Sequence, residues 1–556
     1  MRRLLTLALL ALALPTARAQ TPTTYRIAGT VVSAVDKHPL QRASIQIANT
    51  ADPHQVQTTA SDEYGRFSFP NVPAGNFELQ GSATGYLTTL YDEHDGFNTG
   101  IVTGAAVDTE SLTLKLLPES AIAGTVVNEA AEPVENATVR LFLQSHSFGD
   151  GRITLASAAA TDDLGRFELP HLKPGTYFVA VTGSPWYAVH PPGPEPAASV
   201  TLPNGTIVIQ RRPASPFADS IDPTLDVAYS TEFYPGTTDS AHAAPIVIRG
   251  GDSPDLHFQL APQPAVSVTI PRSPPKPGQP DVPPQLRMSI FGQLAPAVQG
   301  EMRQSPTQTV ITGLAPGDYI LTDPRNPDNQ AGGGMPLHLA QRVTEAMPAA
   351  AESGLAHVHV IARSADGASN PSNIWVALVH PHSSEMVSNQ ANEKGQVDLD
   401  AAPGDYYFQI EDAGKALFPQ RILSGETPLA DGNIHLTADS SRFFTITFAQ
   451  GAHTLKGVAR KDGKGFPGAF VLLFPASETA DVHTFFRDQS NLDGSFSIAG
   501  VAPGAYTLLA IDGGWDLDWQ GGKALARYLP AAQNIRIPDT SEKTHYLTDF
   551  LAVQPR

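Results

Sequence analysis

The sequence predicts an all-β protein built as a tandem array of about five β-sandwich modules. The main observation is a sequence motif that occurs five times, which we call the aromatic phrase. It consists of a polar turn, an aromatic strand, a turn with proline and glycine, and a second aromatic strand. Such repetition indicates a chain of similar folding units. The composition agrees, because 49 prolines and 46 glycines in 556 residues favour turns over long helices. The proline–glycine part lies at residues 73–77, 174–177, 316–319, 403–406 and 503–506.

The first copy shows why the phrase predicts a β-hairpin. Gly65 follows the polar residues 61–63, and glycine accepts the positive φ that such a turn requires. Apolar and polar residues alternate over 67–69, which places both phenylalanines on the buried face of a strand. Pro73 and Gly75 then predict a type II turn in which the glycine takes φ > 0. The second strand begins directly after it.

The segments around the phrase repeat as well. A first strand, a polar turn and a second strand precede the phrase. A longer connecting segment follows it, which we call the excursion, and leads to a final strand. Short strands separated by turn signals at close spacing indicate a β-sandwich. First strands are predicted at 29–32, 124–127 and 456–459, second strands at 39–45, 133–139 and 466–471, and final strands within 101–114, 245–258 and 534–537.

These repeats divide the chain into a leader and five modules. Each module is long enough to bury a core of its own. The predicted bounds are 1–19 for a signal peptide, 20–118 for module 1, 119–262 for module 2 with a Pro-rich insertion, 263–350 for module 3 as a degenerate β-sandwich, 351–450 for module 4 and 451–556 for module 5.

The motifs follow one spaced pattern: Gly-x-Val, Pro-x-x-x-Ala-x-Val, Thr-Asp-x-x-Gly-x-Phe and Pro-Gly-x-Tyr. Modules 1, 2 and 5 carry most of it, whereas modules 3 and 4 are degenerate, with Gln-Thr-Val at 308–310 and Gly-Gln-Val at 395–397 in place of Gly-x-Phe. The pattern resembles the carboxypeptidase regulatory-like family. That resemblance implies an Ig-like or transthyretin-like β-sandwich, found on some zinc carboxypeptidases and in many bacterial envelope proteins. It implies a scaffold or interaction role more than a catalytic one.

The N-terminus predicts secretion. Positive charge at Arg2 and Arg3 precedes an apolar run over 4–14, and residues 17–19 fit the small-x-small cleavage rule, which gives Gln20 as the mature start. The alternative is an uncleaved anchor. No other segment is apolar enough to span a bilayer, so we expect no membrane insertion after cleavage. The chain has no cysteine for lipid attachment or disulfides. A secreted or periplasmic protein is therefore predicted.

The charge argues against some partners. The formal net charge is −19, and the arginines of the leader are lost on cleavage. So acidic a chain lacks the field of a nucleic-acid binder and is repelled by anionic lipids. The charge is interpreted as keeping a secreted protein soluble, with affinity for divalent cations or basic partners as the alternative.

No pattern predicts a catalytic, cofactor or metal site. His382 and Glu385 resemble the first zinc-ligand pair of the carboxypeptidases that carry such modules, but they lie in a loop with no enzyme-sized domain, so exposed loop residues are favoured. His357 and His359 share a strand face and are interpreted as an incidental pair. Acidic turn residues such as Asp162 are interpreted as caps of backbone amides, with a calcium site as the alternative.

Aromatic residues in two excursions are the candidate ligand-binding residues. An exposed indole or phenol can stack on a sugar ring or anchor a peptide, while nearby carboxylates accept hydrogen bonds from hydroxyls. The alternative is that the excursions fold back and cover the edge of the sandwich. The candidates are Trp186, Tyr187, Tyr229 and Tyr234 in module 2, and Trp515, Asp516, Asp518 and Trp519 in module 5.

The sequence thus predicts a non-enzymatic secreted protein that binds a polysaccharide or an envelope protein. The first alternative is a structural spacer or assembly component of the envelope, and a remote one is an accessory to a zinc carboxypeptidase-type enzyme. Exposure decides between binding and scaffold, because a binder needs Trp186, Tyr187, Trp515 and Trp519 on solvent-facing surfaces near carboxylates.

Overall fold

The computed structural model describes residues 24–146, 151–191, 198–201, 207–210, 222–271, 283–298, 300–304, 308–322, 335–340, 343–345, 356–365, 367, 370–372, 374–380, 386–401, 403–412, 417–429, 433–437, 440–450, 453–476, 485–519 and 524–556. The predicted signal peptide with Gln20, and the loop with His382 and Glu385, lie outside these ranges. The described residues form strands and turns, with short 3-10 helices at Pro223–Leu225, Ser240–His242 and Leu529–Ala531, which confirms the all-β prediction. Within these ranges we find no helix of the length and apolarity that crossing a membrane requires.

Module 1 consists of two sheets around one core. One sheet has the strand order β4-β1-β8, and the other has the order β3-β2-β5-β6 with β7 also paired to β5. The core between them contains Ile27, Ile45 and Phe67. The strands are β1 (Tyr25–Ser33), β2 (Ser44–Asn49), β3 (Asp52–Ala60), β4 (Arg66–Val72), β5 (Gly75–Ser82), β6 (Thr89–Leu90), β7 (Ile101–Thr103) and β8 (Leu112–Leu116).

Module 2 repeats this plan. Its strands are β9 (Ser120–Val127), β10 (Thr138–Ser145), β11 (Arg152–Ala160), β12 (Arg166–Leu172), β13 (Gly175–Thr182), β14 (Ala198–Thr201), β15 (Ile207–Gln210), β16 (Val227–Tyr229), β17 (Glu232–Phe233), β18 (Ile246–Ile248), β19 (Asp255–Gln259) and β20 (Pro262–Pro264). The sheets are β12-β9-β19 and β11-β10-β13-β17, with β18 also paired to β13. Of two further pairs, β14-β15 lies in the excursion after β13, and β16-β20 joins that excursion to the residues that follow β19.

Modules 3 and 4 each contain two sheets as well. In module 3 they are β24-β25-β21-β28 and β23-β22-β26-β27, and in module 4 β32-β29-β37-β34-β35 and β31-β30-β33-β36. The strands are β21 (Val266–Pro271), β22 (Gln285–Ile290), β23 (Gln293–Pro296), β24 (Met302–Gln304), β25 (Gln308–Leu314), β26 (Gly317–Thr322), β27 (Met335–Leu339), β28 (Val343–Glu345), β29 (Ala356–Ser364), β30 (Ile374–Val379), β31 (Met386–Gln390), β32 (Gln396–Ala401), β33 (Gly404–Asp412), β34 (Leu417–Ser424), β35 (Thr427–Pro428), β36 (Asn433–Leu436) and β37 (Ser441–Gln450).

Module 5 joins its strands into one continuous sheet, because β46 pairs with both β38 and β43. Its strands are β38 (His453–Lys461), β39 (Lys464–Gly465), β40 (Phe470–Pro475), β41 (Phe486–Gln489), β42 (Ser495–Val501), β43 (Gly504–Ile511), β44 (Gln533–Ile537), β45 (Thr544–Tyr546) and β46 (Leu551–Gln554). In every module the first strand pairs antiparallel with the strand of the aromatic phrase and parallel with a late strand. The residue bounds of the modules stay predictions.

The turn glycines behave as the sequence predicts. Gly65, Gly165 and Gly494 have φ of 73°, 69° and 82°. A Cβ on Gly65 would lie 2.6 Å from the carbonyl oxygen of Val31, so a side chain would clash with the first strand. Asp62 caps this turn by accepting hydrogen bonds from the amides of Tyr64 and Arg66 at 2.9 and 2.8 Å. The Asp-x-x-Gly motif therefore builds the turn that precedes the aromatic strand.

The expected type II turn at Pro73 and Gly75 is wrong. Gly75, like its counterparts at 175 and 504, is not among the residues with positive φ, and it opens the next strand instead. The left-handed residue stands four positions earlier, at Asn71 with φ 66°. There the pairing of β1 with β4 shifts register, so the strand carries a bulge that bends it toward the next one.

The Pro-Gly-x-Tyr motif has a packing role. A Cβ on Gly504 would lie 3.3 Å from the ring of Tyr506, so the glycine makes room for that ring. The Tyr506 hydroxyl donates to the carbonyl oxygen of Ala502 at 2.9 Å, the residue before the proline. Tyr177 and Tyr319 make the same bond to Lys173 and Ala315, each at 2.7 Å. The tyrosine thus closes the turn that leads into the core strand.

Candidate functional site

An exposed aromatic and acidic surface lies at one end of module 2. It comprises Trp186, Tyr187, Glu129 and Glu132, and we call it the Trp186 patch. Trp186 and Tyr187 follow the end of β13, and the two glutamates belong to the turn that follows β9. The side chain of Trp186 is 76% exposed, and both glutamates are exposed. The sheet brings together two loops that lie more than fifty residues apart in sequence.

Asn128 fixes the acidic turn. It is buried, and its side-chain oxygen accepts hydrogen bonds from the amides of Ala130 and Glu132 at 2.9 and 2.8 Å. Its side-chain nitrogen donates to the carboxylate of Glu132 at 2.9 Å. Ala131 has φ of 63°, which tightens the turn before Pro133. The carboxylate of Glu132 is therefore held from its own loop before it meets the tryptophan.

Hydrogen bonds join the two loops. The indole N–H of Trp186 donates to Oε2 of Glu132 at 3.3 Å. The hydroxyl of Tyr187 donates to Oε1 of Glu129, and the hydroxyl of Tyr229 lies 3.4 Å from Oε2 of the same carboxylate. The rings of Trp186 and Tyr187 are perpendicular, with centroids 5.9 Å apart. The patch is thus an open corner of two aromatic rings, bordered by two carboxylates.

Tyr187 of the patch and the adjacent Tyr229 stay protonated. Partial burial, together with the hydrogen bond to Glu129, raises the pKa of Tyr187 to about 12. Burial and the charge of Glu129 also raise the pKa of Tyr229. A neutral phenol is the form that donates to a carboxylate, so these hydrogen bonds persist across the physiological pH range.

The other module 2 candidates lie deeper. Tyr229 is buried in the core and reaches the patch only through its hydroxyl. Tyr234 packs against the core with its ring centroid 6.3 Å from that of Phe258. Glu129 and Glu132 were not among the predicted residues. The available signal was that two acids stand in the turn between the Gly-x-Val strand and the following proline.

The module 5 candidates form a different arrangement. Trp519 is 4% exposed and packs with Phe485, and Trp515 belongs to the same apolar cluster. Trp515 also stacks on His94 of module 1, with ring centroids 5.8 Å apart and nearly parallel planes, and contacts Phe97 at 5.2 Å. The excursion folds back, as the alternative interpretation expected, and the exposed surface required for stacking on a ligand is not formed.

The two acidic candidates of module 5 are paired with basic groups. Asp516 forms an ion pair with Arg556 at 2.6 Å. Asp518 lies 3.3 Å from the ring nitrogen of His146 in module 2. Both carboxylates therefore lie beside basic residues of the same chain, and neither lies beside an exposed aromatic ring in the way that Glu132 lies beside Trp186.

Modules 1 and 5 share a direct contact, which we call the 1–5 contact. Gln489 is 2% exposed and donates to the carbonyl oxygen of Asp92 at 2.6 Å and to the hydroxyl of Thr99 at 2.8 Å. Arg487 pairs with Asp95 at 2.7 Å. Further contributions come from the hydrogen bond of Asn76 to Asn491 and from Leu492, which packs against the core of module 1. The first and last modules are thus held together.

The histidines singled out in module 4 have acidic partners across the sheet. His357 and His359 of β29 lie 2.7 Å from Asp400 and Asp398 of β32, and the ring of His359 stacks on Phe443. Among the described residues no group of three or more His, Cys, Asp or Glu side chains has a geometry that could hold a metal ion. Asp162 accepts hydrogen bonds from the amides of Leu164 and Arg166 at 2.9 and 2.7 Å, which is turn capping.

Comparisons with known proteins agree with the family resemblance. The model of the carboxypeptidase regulatory-like domain matches residues 26–115 and 121–206, which confirms the resemblance for these two segments. The second segment contains the whole Trp186 patch. No curated protein matches the chain.

Several solved structures are similar to this chain. The Bacillus anthracis TIE protein has 10% sequence identity and a TM-score of 0.17, with coverage of 96% of this chain and 75% of that one. A streptococcal ancillary pilin has 11% identity and a TM-score of 0.19, covering 52% of this chain and 100% of that one. The minor pilin GBS52 of Streptococcus agalactiae has 10% identity and a TM-score of 0.21, covering 46% and 100%.

Proposed function

We propose that this chain is a non-enzymatic, secreted or periplasmic protein that binds a carbohydrate at the Trp186 patch. The observation that carries the proposal is the position of Trp186, which is 76% exposed while its indole N–H bonds to Glu132. An exposed indole whose polar end is already bonded offers a flat apolar face on which a ligand can stack. The β-sandwiches act as the scaffold that holds the two loops of the patch together.

The chemistry of the patch suits a sugar. One face of a pyranose ring presents C–H groups that stack on an indole, while its hydroxyls need hydrogen-bond acceptors. Glu132 and Glu129 supply carboxylate oxygens beside the ring, already oriented by Asn128 and the tyrosine hydroxyls. Because these groups are positioned before a ligand arrives, little side-chain ordering has to occur on binding.

A structural role in the envelope is the second candidate, and the 1–5 contact favours it. The aromatic residues of module 5 serve packing, and Trp515 joins the last module to the first. If every excursion had this purpose, the chain would be a scaffold alone. Trp186 distinguishes the two candidates, because it makes no such contact with another module among the described residues.

A pull-down of the mature protein on a panel of insoluble polysaccharides tests the proposal, followed by calorimetry with oligomers of any that retain it. We expect Trp186→Ala to weaken binding by about tenfold or more, equivalent to about 1.4 kcal/mol. Trp375→Ala is the matched control, because Trp375 is also exposed but lies on β30 in module 4, away from the patch. Retention by no polysaccharide, or equal losses in both variants, would refute carbohydrate binding at this surface.

A further inference from the structure

We infer that the sugar recognised at the Trp186 patch carries a positive charge, as a polysaccharide with free amino groups does. This inference rests on the proposed function and specifies its ligand. It follows from three features of the patch: carboxylates without a cationic partner, a corner of aromatic rings that attracts cations, and the contrast with the equivalent turns of modules 1 and 5.

The carboxylates of the patch bond only to neutral donors. Glu129 accepts from the hydroxyls of Tyr187 and Tyr229, and Glu132 accepts from the side chains of Asn128 and Trp186. Among the described residues neither glutamate forms a salt bridge with a lysine, arginine or histidine. Two carboxylates of one turn thus lie at the surface of an acidic chain with net charge −19 and have no basic partner. A cation close to both is attracted by their charges.

The aromatic corner favours the same ligand. The π-face of tryptophan is the strongest attractor of cations among the aromatic side chains, and an ammonium within about 6 Å of the ring gains about 0.5 to 2 kcal/mol. The rings of Trp186 and Tyr187 stand at 90° to each other. An amine that binds at this corner lies near both rings and near the carboxylates that accept hydrogen bonds from them. A neutral sugar would use the ring face but not the charges.

The same turn in modules 1 and 5 carries a basic side chain of its own. In module 1 it contains Asp36, whose carboxylate lies 2.6 Å from the ring nitrogen of His38. In module 5 it is flanked by Lys461 and Lys464, and Lys461 pairs with Asp512 at 3.0 Å. Only in module 2, among these three, does the turn carry acids without a base. The position that an internal base takes in the other modules is left to a ligand here.

The direct test is calorimetry of the mature protein with three soluble oligomers of equal length: glucosamine, N-acetylglucosamine and galacturonate. We expect glucosamine oligomers to bind at least about tenfold more tightly than the acetylated ones, and galacturonate to bind least. The preference for glucosamine should decline with added salt, because screening weakens the charge contribution. It should also decline as the pH rises and the amines lose their protons.

Two variants locate the effect. Glu129→Gln and Glu132→Gln keep the hydrogen-bond acceptor but remove the charge, so each should reduce the preference for glucosamine while acetylated oligomers still bind. Asp36→Asn is the matched control, because it removes an acid from the equivalent turn of module 1 and should leave binding unchanged.

The outcomes separate the inference from the proposed function. If glucosamine and N-acetylglucosamine oligomers bind equally well in a Trp186-dependent way, carbohydrate binding stands and the charge inference is overturned. If no oligomer binds, the charge inference is overturned, and retention on the polysaccharide panel decides whether carbohydrate binding stands. Binding of poly-lysine but of no sugar, lost in Trp186→Ala, would overturn both in favour of a basic protein partner.

Discussion

Trp186 and Trp515 follow the same strand of their respective modules, yet their environments are opposite. Trp186 comes after β13 and faces solvent, whereas Trp515 comes after β43 and lies between two modules. Each tryptophan has a second aromatic residue close to it in the sequence and carboxylates close to it in the fold. The difference comes from neighbours far along the chain: His94 and Phe97 of module 1 cover Trp515, and no described aromatic of another module covers Trp186.

The comparison teaches that the excursions of a repeat protein are used in two ways. A repeat fixes the sheets, so excursions project from equivalent positions in each module. Whether they then bind a ligand or another module depends on what the array places beside them. In module 5 the neighbour of Trp515 is module 1, and Asp516 and Asp518 lie beside Arg556 and His146. In module 2 the acids and the indole stay together at the surface.

The largest effect that would sharpen this comparison is expected at Trp519. Trp519→Ala removes a side chain that is 96% buried in the cluster shared with Phe485, and a truncation of this kind costs about 3 to 5 kcal/mol. Hydrogen exchange resolved by peptide would show the loss in the strands of module 5. Full protection of those strands in the variant would contradict the interpretation of Trp519 as a core residue.

A smaller effect is expected from pH at Asp488, on the strand that forms the 1–5 contact. Burial raises the pKa of Asp488 to about 6, although the amides of Ser497 and Gln489 donate to its carboxylate. The folded state therefore holds its proton more tightly than the unfolded state, whose pKa is near 3.8. The stabilisation is complete below pH of about 4 and is lost as the pH rises through about 6.

Unfolding of residues 20–556 at several pH values measures this contribution, which we expect to be about 3 kcal/mol. Asp488→Asn imitates the protonated carboxyl and should flatten the decline between about pH 4 and pH 6. The control is Asp493→Asn, which alters a neighbouring turn acid whose carboxylate accepts from the amide of Ser495. An unchanged pH profile in Asp488→Asn would show that the carboxyl is hydrated in the folded state.

How far the sequence could predict this molecule depends on the range of the interactions involved. Turn glycines such as Gly65 and the alternation in the aromatic strands are local, and they were predicted correctly. The bulge at Asn71 depends on the register between two strands, which the residues of the phrase alone do not specify. The cover over Trp515 depends on residues about four hundred positions away. From the sequence alone Glu132 is an ordinary polar turn residue. Its contact with Trp186 depends on the fold, which brings together two loops that are 54 residues apart.

A still smaller effect is expected from the ion pair across the 1–5 contact. Arg487 and Asp95 have 18% and 28% of their side chains exposed, so solvent screens the pair only in part. A double-mutant cycle with Arg487→Ala and Asp95→Ala should give a coupling energy of about 1 kcal/mol. The same cycle on the exposed pair of Arg66 and Asp62 in module 1 should give a clearly smaller coupling, because solvent screens both charges. Equal couplings would show that modules 1 and 5 are not in contact in solution.

The smallest effect on stability is expected at Trp186, and it completes the comparison. Trp186→Ala removes a side chain that is 76% exposed and that, among the described residues, has one aromatic ring contact and one hydrogen bond, so the free energy of unfolding should change by less than about 0.5 kcal/mol. Trp515→Ala, which removes the same side chain from the 1–5 contact, should cost several times more. A residue that contributes little to folding but is required for ligand binding has a functional role. If Trp186→Ala were as destabilising as Trp515→Ala, Trp186 would be a packing residue too, and the difference between the two excursions would disappear.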